Sequence, residues 1–324
     1  LHRLIRRQRQ MCIRDRLSEI RSMGFNIVYL NGVYQGESAF AVDDFFNVNP
    51  DLGTKEDFER LIETARDLGM KVVMDFIPNH SSQYALKLIS RKLSQGIIDT
   101  QIEMLSRLFG KRPGELTMDD VLSLYVHFIP APEMSDQELK ANYPKYTLHY
   151  INGRRVMVKN GDTSRNETNW KDTAQFNFKN QKVYEYIISI LKYWKDRYGT
   201  EFRYDMGHSM EELAPGFTDR IVSRVGPIAF AEAHWGKGQL LQEKRVIATQ
   251  DQHLYWVYRG LMEGKARASD LADALKEQKR FYPDSSRLMR FIENHDEPRV
   301  ASFVRKDMIR ALMVLITRAL PGIP

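Results

Sequence analysis

The 324-residue chain has the composition of a folded protein. Hydrophobic residues make up 43% and aromatic residues 11%, and no apolar run approaches the roughly eighteen residues that a membrane span needs. This composition excludes a disordered or membrane-embedded chain. The length allows one large α/β domain with an inserted subdomain, or two ordinary domains.

The positive charge is concentrated at one end. The formal net charge is +6, but residues 1–16 carry six Arg against one Asp, a net of +5, which leaves +1 for residues 17–324. We therefore expect neither a nucleic-acid partner nor a membrane partner, and interpret residues 1–16 as a non-native tail. That tail also holds Cys12, the single cysteine, so a disulfide within the chain is impossible.

Residues 17–80 alternate helix and strand. The apolar segments 26–30 and 71–76 predict buried strands, and Thr54 has the sequence context of a helix N-cap between them. This βα rhythm predicts the first part of a barrel.

The region 81–170 interrupts that rhythm. We predict helical segments near 84–109 and 117–126, followed by a hairpin whose turn is Asn152-Gly153, the strongest short hairpin signal. An inserted subdomain explains this region better than a long loop.

The rhythm resumes over 171–324, interpreted as the second, incomplete part of the barrel. Further strands are predicted to begin near 202, 227, 246 and 288, and further helices near 268–279 and 305–318. With the two earlier strands this gives six of the eight that a closed parallel barrel requires.

Four short segments carry a family resemblance. They are DFIPNH at 75–80, FRYD at 202–205, AEAH at 231–234 and ENHDEP at 293–298. Their order and strand context resemble the signature segments of the α-amylase superfamily, glycoside hydrolase family 13. The resemblance implies a TIM-type (β/α)8 barrel with a subdomain inserted after the third strand. We expect a catalytic-domain fragment truncated at both ends, with strands 2–7 present.

Three acidic residues in these segments suit glycoside chemistry. Breaking a glycosidic bond with retention needs one proton donor and one carboxylate nucleophile. By resemblance Asp205 is the nucleophile, Glu232 the general acid and base, and Asp296 holds the sugar hydroxyls. The implied activity is retaining hydrolysis of α-glucans such as starch, glycogen and maltodextrin, through a covalent glycosyl-enzyme intermediate.

The environment of two of these carboxylates is also predicted. Arg203 precedes Asp205 by two residues, so on a strand both side chains point to one face, where the cation keeps Asp205 ionised. Glu232 must stay protonated to act as an acid. We expect an apolar wall such as Phe230 or Trp235, together with the nearby acidic residues, to favour that form.

The resemblance extends to residues around the sugar. The resemblance implies that Asp75 supports the arginine and the nucleophile and takes no part in the chemistry. His208 lies where many amylases have a substrate-binding lysine, and Phe40 lies where a tyrosine is usual. The full set of implied substrate-binding residues is Arg203, His80, His295, Phe40, His208 and Trp235.

A metal is a weaker implication. Asn79 matches a position that often ligates a structural calcium, but Gln175 stands where relatives often carry an acid. Calcium needs six to eight oxygen ligands. We therefore expect no required cofactor, with Asn79 as the candidate ligand of a possible structural calcium.

Two alternatives remain open. A 4-α-glucanotransferase or maltosyltransferase uses the same carboxylates, with a sugar hydroxyl instead of water intercepting the intermediate. An inactive carbohydrate-binding fragment is the other, although all three carboxylates are present. Exposed barrel edges would also make a truncated barrel poorly soluble and inactive by itself.

Overall fold

The computed structural model describes residues 13–234, 238–316, 320 and 322–324. Residues 1–12 of the predicted tail and Trp235 therefore lie outside the described part of the chain. Residues 13–16 belong to a described helix. The chain divides into two compact units, Leu1–Phe202 and Arg203–Pro324.

The first unit combines parallel and antiparallel strands. Its strands are β1 (Ile27–Leu30), β2 (Tyr34–Gly36), β3 (Val42–Val48), β4 (Lys71–Phe76), β5 (His80–Ser82), β6 (His127–Phe128), β7 (Tyr146–Ile151), β8 (Arg154–Gly161) and β9 (Trp170–Gln175). Its helices are α1 (13–22), α2 (Lys55–Asp67), α3 (Gln83–Ser94), α4 (Thr100–Phe109), α5 (Met118–Leu122), α6 (Asp136–Asn142) and α7 (Gln181–Tyr198).

The predicted βα unit at the start of the chain is confirmed. β1 and β4 pair in parallel, with Ile27 opposite Lys71. The connecting helix α2 begins after Thr54, whose side chain accepts from the Asp57 amide in a reciprocal capping box. One face of α2 is buried, and it includes Phe58 and Leu61.

The region 81–170 contains the predicted hairpin. β7 and β8 pair in antiparallel fashion, and the turn residues Asn152 and Gly153 have φ of 50° and 75°. Both values lie in the left-handed region that a type I′ turn requires. The single helical segment predicted at 84–109 was wrong in its continuity, because Gly96, with φ of 65°, separates α3 from α4.

An antiparallel sheet extends beyond this region at both ends. β5 pairs with β9, β9 with β8, and β8 with both β6 and β7. The sequence predicted that the inserted subdomain runs from residue 81 to residue 170. β5 begins one residue before that range, and β9 continues five residues beyond it. Sequence reasoning missed both short strands.

Helix α7 anchors the core of the first unit. It begins at the N-cap Asn180 and ends at Gly199, whose φ of 69° suits the left-handed C-cap. Trp194 on this helix is 1% exposed and donates from its indole nitrogen to the Phe45 carbonyl at 2.7 Å. Its ring also meets the Phe58 ring edge to face, 5.5 Å between centroids.

The second unit is built on parallel strands with intervening helices. Its strands are β10 (Glu201–Tyr204), at which the chain passes from one unit to the other, β11 (Ile228–Ala231), β12 (Val246–Gln250) and β13 (Leu288–Met289). Its helices are α8 (Gly207–Leu213), α9 (Phe217–Val225), α10 (Gly238–Glu243), α11 (Gln252–Met262), α12 (Ala268–Phe281) and α13 (Lys306–Val314).

Neighbouring strands of the second unit pair in parallel, in the order β10, β11, β12, β13. All the predicted strand starts are confirmed within a residue, but β13 is only two residues long. Three helices of this unit share a buried apolar cluster, which includes Leu254 and Tyr258 of α11, Ala274 of α12 and Leu312 of α13. Across the described ranges, no helix has both the length and the apolar character to cross a bilayer.

Candidate active site

The second unit places Arg203 and Asp205 side by side. Arg203 lies in β10, and Asp205 directly follows that strand. Their side chains share one face because they are two residues apart on extended backbone. Arg203 donates from Nη1 to Asp205 Oδ1 at 2.5 Å, and the two side chains are only 1% and 10% exposed. The guanidinium therefore neutralises a largely buried carboxylate.

Glu232 joins this pair through the register of the sheet. β11 pairs with β10 so that Phe230 lies opposite Arg203, and Glu232 follows the end of β11. The Glu232 amide donates to the Tyr204 carbonyl at 2.9 Å. Arg203 then donates from Nη2 to Glu232 Oε2 at 3.1 Å. One guanidinium thus bridges two carboxylates separated by 27 positions in sequence.

A backbone donor also contacts Glu232. Met206 has φ of 52°, the left-handed region that side chains with a Cβ seldom occupy. In this conformation its amide donates to Glu232 Oε2 at 3.0 Å. Oε2 therefore receives two donors, from Arg203 and Met206.

The pKa of Glu232 shifts in the direction opposite to the expectation. Burial raises the pKa of Glu232, but Arg203, the Met206 amide and the histidines 208 and 234 outweigh it, so that the pKa lies below its usual value. The expected net rise of this pKa was therefore wrong. Burial is the largest single influence and acts in the expected direction, but the lowering influences together exceed it.

Two histidines lie on the other side of Glu232. His208, buried near the start of α8, stacks on His234 with ring centroids 4.0 Å apart and an interplanar angle of 25°. His234 Nε2 lies 3.8 Å from Glu232 Oε1. His234 was missed as a site residue, although its spacing of two from Glu232 was a signal that both could face one side.

Asp296 has local contacts. Its amide donates to Asn294 Oδ1 at 3.0 Å, and its carboxylate lies 3.3 Å from His295 Nε2. The side chain is 54% exposed. The predicted roles of Asp296 and His295 stay predictions.

The other predicted residues belong to the first unit. Asp75, at the end of β4, is buried and accepts a short hydrogen bond from the Tyr29 hydroxyl. His80 is buried in β5, with its ring 5.5 Å from that of Trp170. Burial lowers the pKa of His80 to about 4, and a backbone contact with Phe40 opposes this only in part. His80 is therefore a neutral imidazole near pH 7.

The contacts around Asn79 show whether these residues could hold a calcium ion. Gln175 Nε2 donates to Asn79 Oδ1 at 2.7 Å and to the Asn79 carbonyl at 3.1 Å. Asn79 Nδ2 points at the Asp162 carbonyl, 3.0 Å away, and Lys145 Nζ contacts Asp162 Oδ2 at 2.9 Å. The neighbouring oxygens already face N–H groups and an ammonium. This donor set does not fit a calcium ion, which needs a cage of oxygens.

Comparisons with known proteins find a family model and several sequence relatives. The family model described as "Alpha amylase, catalytic domain" matches residues 11–97. Maltase A2 of Drosophila melanogaster is 28% identical over 199 residues, which cover 60% of this chain and 30% of that protein. A cyclomaltodextrin glucanotransferase of Bacillus sp. (strain 1-1) is 24% identical over 301 residues, covering 90% of this chain and 38% of that protein.

The fold has solved counterparts. A maltogenic α-amylase, AmyB, from Thermotoga neapolitana matches with a TM-score of 0.65 and 22% identity, covering 97% of this chain and 62% of that one. The likeness confirms the predicted TIM-type barrel class. The chain spans less than two thirds of each of these three proteins. By the family model at residues 11–97 and the sequence relatives, the chain is similar to proteins of the α-amylase superfamily.

Proposed function

We propose that this chain carries the catalytic carboxylates of a retaining glycosidase that acts on α-glucans such as starch, glycogen and maltodextrin. The observation that carries the proposal is the bridge from Arg203 to both Asp205 and Glu232. Two carboxyl groups held close to one another are what a double-displacement mechanism requires.

In the first step Asp205 is the nucleophile. Its carboxylate attacks the anomeric carbon, and the bond from that carbon to the leaving oxygen breaks as Glu232 transfers a proton to that oxygen. The products of this step are a glycosyl ester of Asp205 and a shortened glucan. Arg203 keeps the Asp205 carboxylate ionised and oriented for the attack.

In the second step the roles at Glu232 reverse. The Glu232 carboxylate takes a proton from water, and the resulting hydroxide attacks the anomeric carbon and releases Asp205. Because Arg203 and Met206 occupy Oε2, the proton is carried on Oε1. In this proposal Asp296 and the residues named by the resemblance, His80, His295, Phe40, His208 and Trp235, hold the sugars.

The experiment is to replace each carboxylate and measure reducing-end release from maltoheptaose. Asp205→Asn should lower turnover by at least about 10⁴-fold, because the covalent step is lost. Glu232→Ala should lower it similarly, because the proton donor of the first step and the base of the second are both lost. Asp219→Asn, which changes a 59% exposed carboxylate of the same unit, is the matched control and should retain activity. Near-normal turnover by Asp205→Asn would remove the proposal.

A transferase is the second candidate, favoured by the glucanotransferase relative. It shares both steps but uses a sugar hydroxyl in place of water. Product analysis separates the two activities, since hydrolysis of maltoheptaose yields only shorter sugars and transfer also yields longer ones. If no turnover occurs and binding of the glucan persists, the chain is a carbohydrate-binding module instead.

A further inference from the structure

We propose that the second unit has an inhibitory site for a divalent transition-metal cation of the zinc class, formed by His208, Glu232 and His234. One donor atom from each residue lies within 4.8 Å of the other two. Two imidazoles and one carboxylate are a donor set that zinc, nickel and copper prefer, whereas magnesium and calcium prefer oxygen alone.

The donor atoms must draw together for an ion to bind. Zinc binds imidazole nitrogen and carboxylate oxygen at about 2.0–2.2 Å, so two donors on one tetrahedral ion lie about 3.4 Å apart. His234 Nε2 and Glu232 Oε1 are 3.8 Å apart. The His234 side chain is 62% exposed, so it can close this gap without disturbing the core. Buried His208 supplies the fixed side of the site.

The contacts of Glu232 leave the appropriate oxygen facing the histidines. Arg203 and Met206 both donate to Oε2, which fixes the carboxylate plane. Oε1 faces His234. A cation bound at Oε1 therefore keeps the two existing hydrogen bonds, and these act as outer contacts that orient the ligand.

The local charge also favours a cation. Two carboxylates, Asp205 and Glu232, face the single guanidinium of Arg203. Three protein ligands leave an open position on a four-coordinate ion.

The consequence rests on the proposed function. A metal on Oε1 occupies the lone pair that would carry the catalytic proton, and it stands where the leaving group must approach Glu232. Zinc should therefore inhibit in competition with the glucan. The binding itself does not depend on that function.

The experiment measures binding first. Zinc is titrated into the protein near pH 7.5 in competition with a chromophoric chelator, in a Cys12→Ser background that removes the one thiol. We expect one ion per chain. His208→Gln and His234→Gln should each weaken zinc binding by at least about tenfold. Loss of a residue that only orients a metal ligand already costs about that much, and these two residues are ligands themselves. His127→Gln, in the first unit, is the matched control and should bind as the parent does.

Cobalt gives a second readout. Bound Co²⁺ should develop visible bands of a four- or five-coordinate site, and those bands should be lost in His234→Gln but not in His127→Gln. Binding of zinc that is unchanged in both site variants would overturn the proposal, as would no binding at all. Zinc binding in a protein without glucan turnover would leave the site intact and remove the proposed function alone.

Discussion

Gln175 donates from one side-chain nitrogen to two oxygens of Asn79, to Oδ1 at 2.7 Å and to the carbonyl at 3.1 Å. Close by, Lys145 places an ammonium 2.9 Å from the Asp162 carboxylate. The chain thus supplies its own partners to these oxygens, an amide N–H donor from Gln175 and an ammonium from Lys145.

We therefore predict that stability does not depend on calcium. A calcium ion present at 100 times its dissociation constant would add about 2.7 kcal/mol to the free energy of unfolding. For a protein of this size that shifts the melting temperature by several degrees. Melting curves with excess calcium and with a chelator should instead coincide within about 1 °C. A rise of several degrees with calcium would contradict the assignment.

The Lys145–Asp162 pair should be measurable by itself. Asp162 is 2% exposed. Burial raises the pKa of its carboxyl, but hydrogen bonds from Lys145 and Thr168 outweigh burial, so that the pKa lies below its usual value. Lys145→Met should cost about 1–2 kcal/mol in urea unfolding at pH 7, because it leaves a buried carboxylate without its cation. The cost should shrink as the pH falls and Asp162 becomes protonated.

The matched control for that pair is Lys140→Met, which removes an exposed lysine from α6. Its effect should stay within about 0.5 kcal/mol. Equal effects of the two variants would show that the Asp162 contact contributes nothing to stability.

Arg203→Lys should lower turnover of the α-glucan by on the order of 100-fold. A single ammonium cannot donate in parallel to Asp205 and Glu232 as the planar guanidinium does, so the two carboxylates lose their common orientation. Steady-state kinetics should show the loss in kcat more than in KM. Arg197→Lys, which changes a 47% exposed side chain, should be close to the parent. A near-normal kcat for Arg203→Lys would mean that the bridge is not needed for orientation.

Two buried histidines predict a pH dependence of stability. Burial lowers the pKa of His80 and of His149 to about 4 in each case, against a usual value of 6.5. Both are neutral when folded and take up a proton on unfolding, so the free energy of unfolding should fall as the pH drops from about 6.5 to about 4.

Urea unfolding at several pH values between 7 and 4 checks this. Carboxylates lose stability over part of the same range, so the informative quantity is the difference between variants. His149→Gln should flatten the decline between pH 6.5 and 5, since it removes one group that binds a proton only when unfolded. A slope that is identical in the parent and in His149→Gln would show that His149 does not remain neutral.

The sequence by itself determined what depends on neighbouring residues. The Thr54 cap, the Asn152-Gly153 turn and the helix and strand rhythm were predictable because capping, turn conformation and periodicity act over a few residues. The common face of Arg203 and Asp205 was predictable for the same reason, since it follows from the two-residue period of one strand.

Only the tertiary structure decided which distant groups meet. The register of β10 against β11 brings Glu232 to Arg203 and Met206, and this contact reverses the expected direction of the Glu232 pKa. The pairing of β5 with β9 likewise sets Gln175 against Asn79. Charges and hydrogen bonds between chain segments depend on distances of a few ångströms, and those distances are fixed by strand pairing and packing rather than by any local pattern.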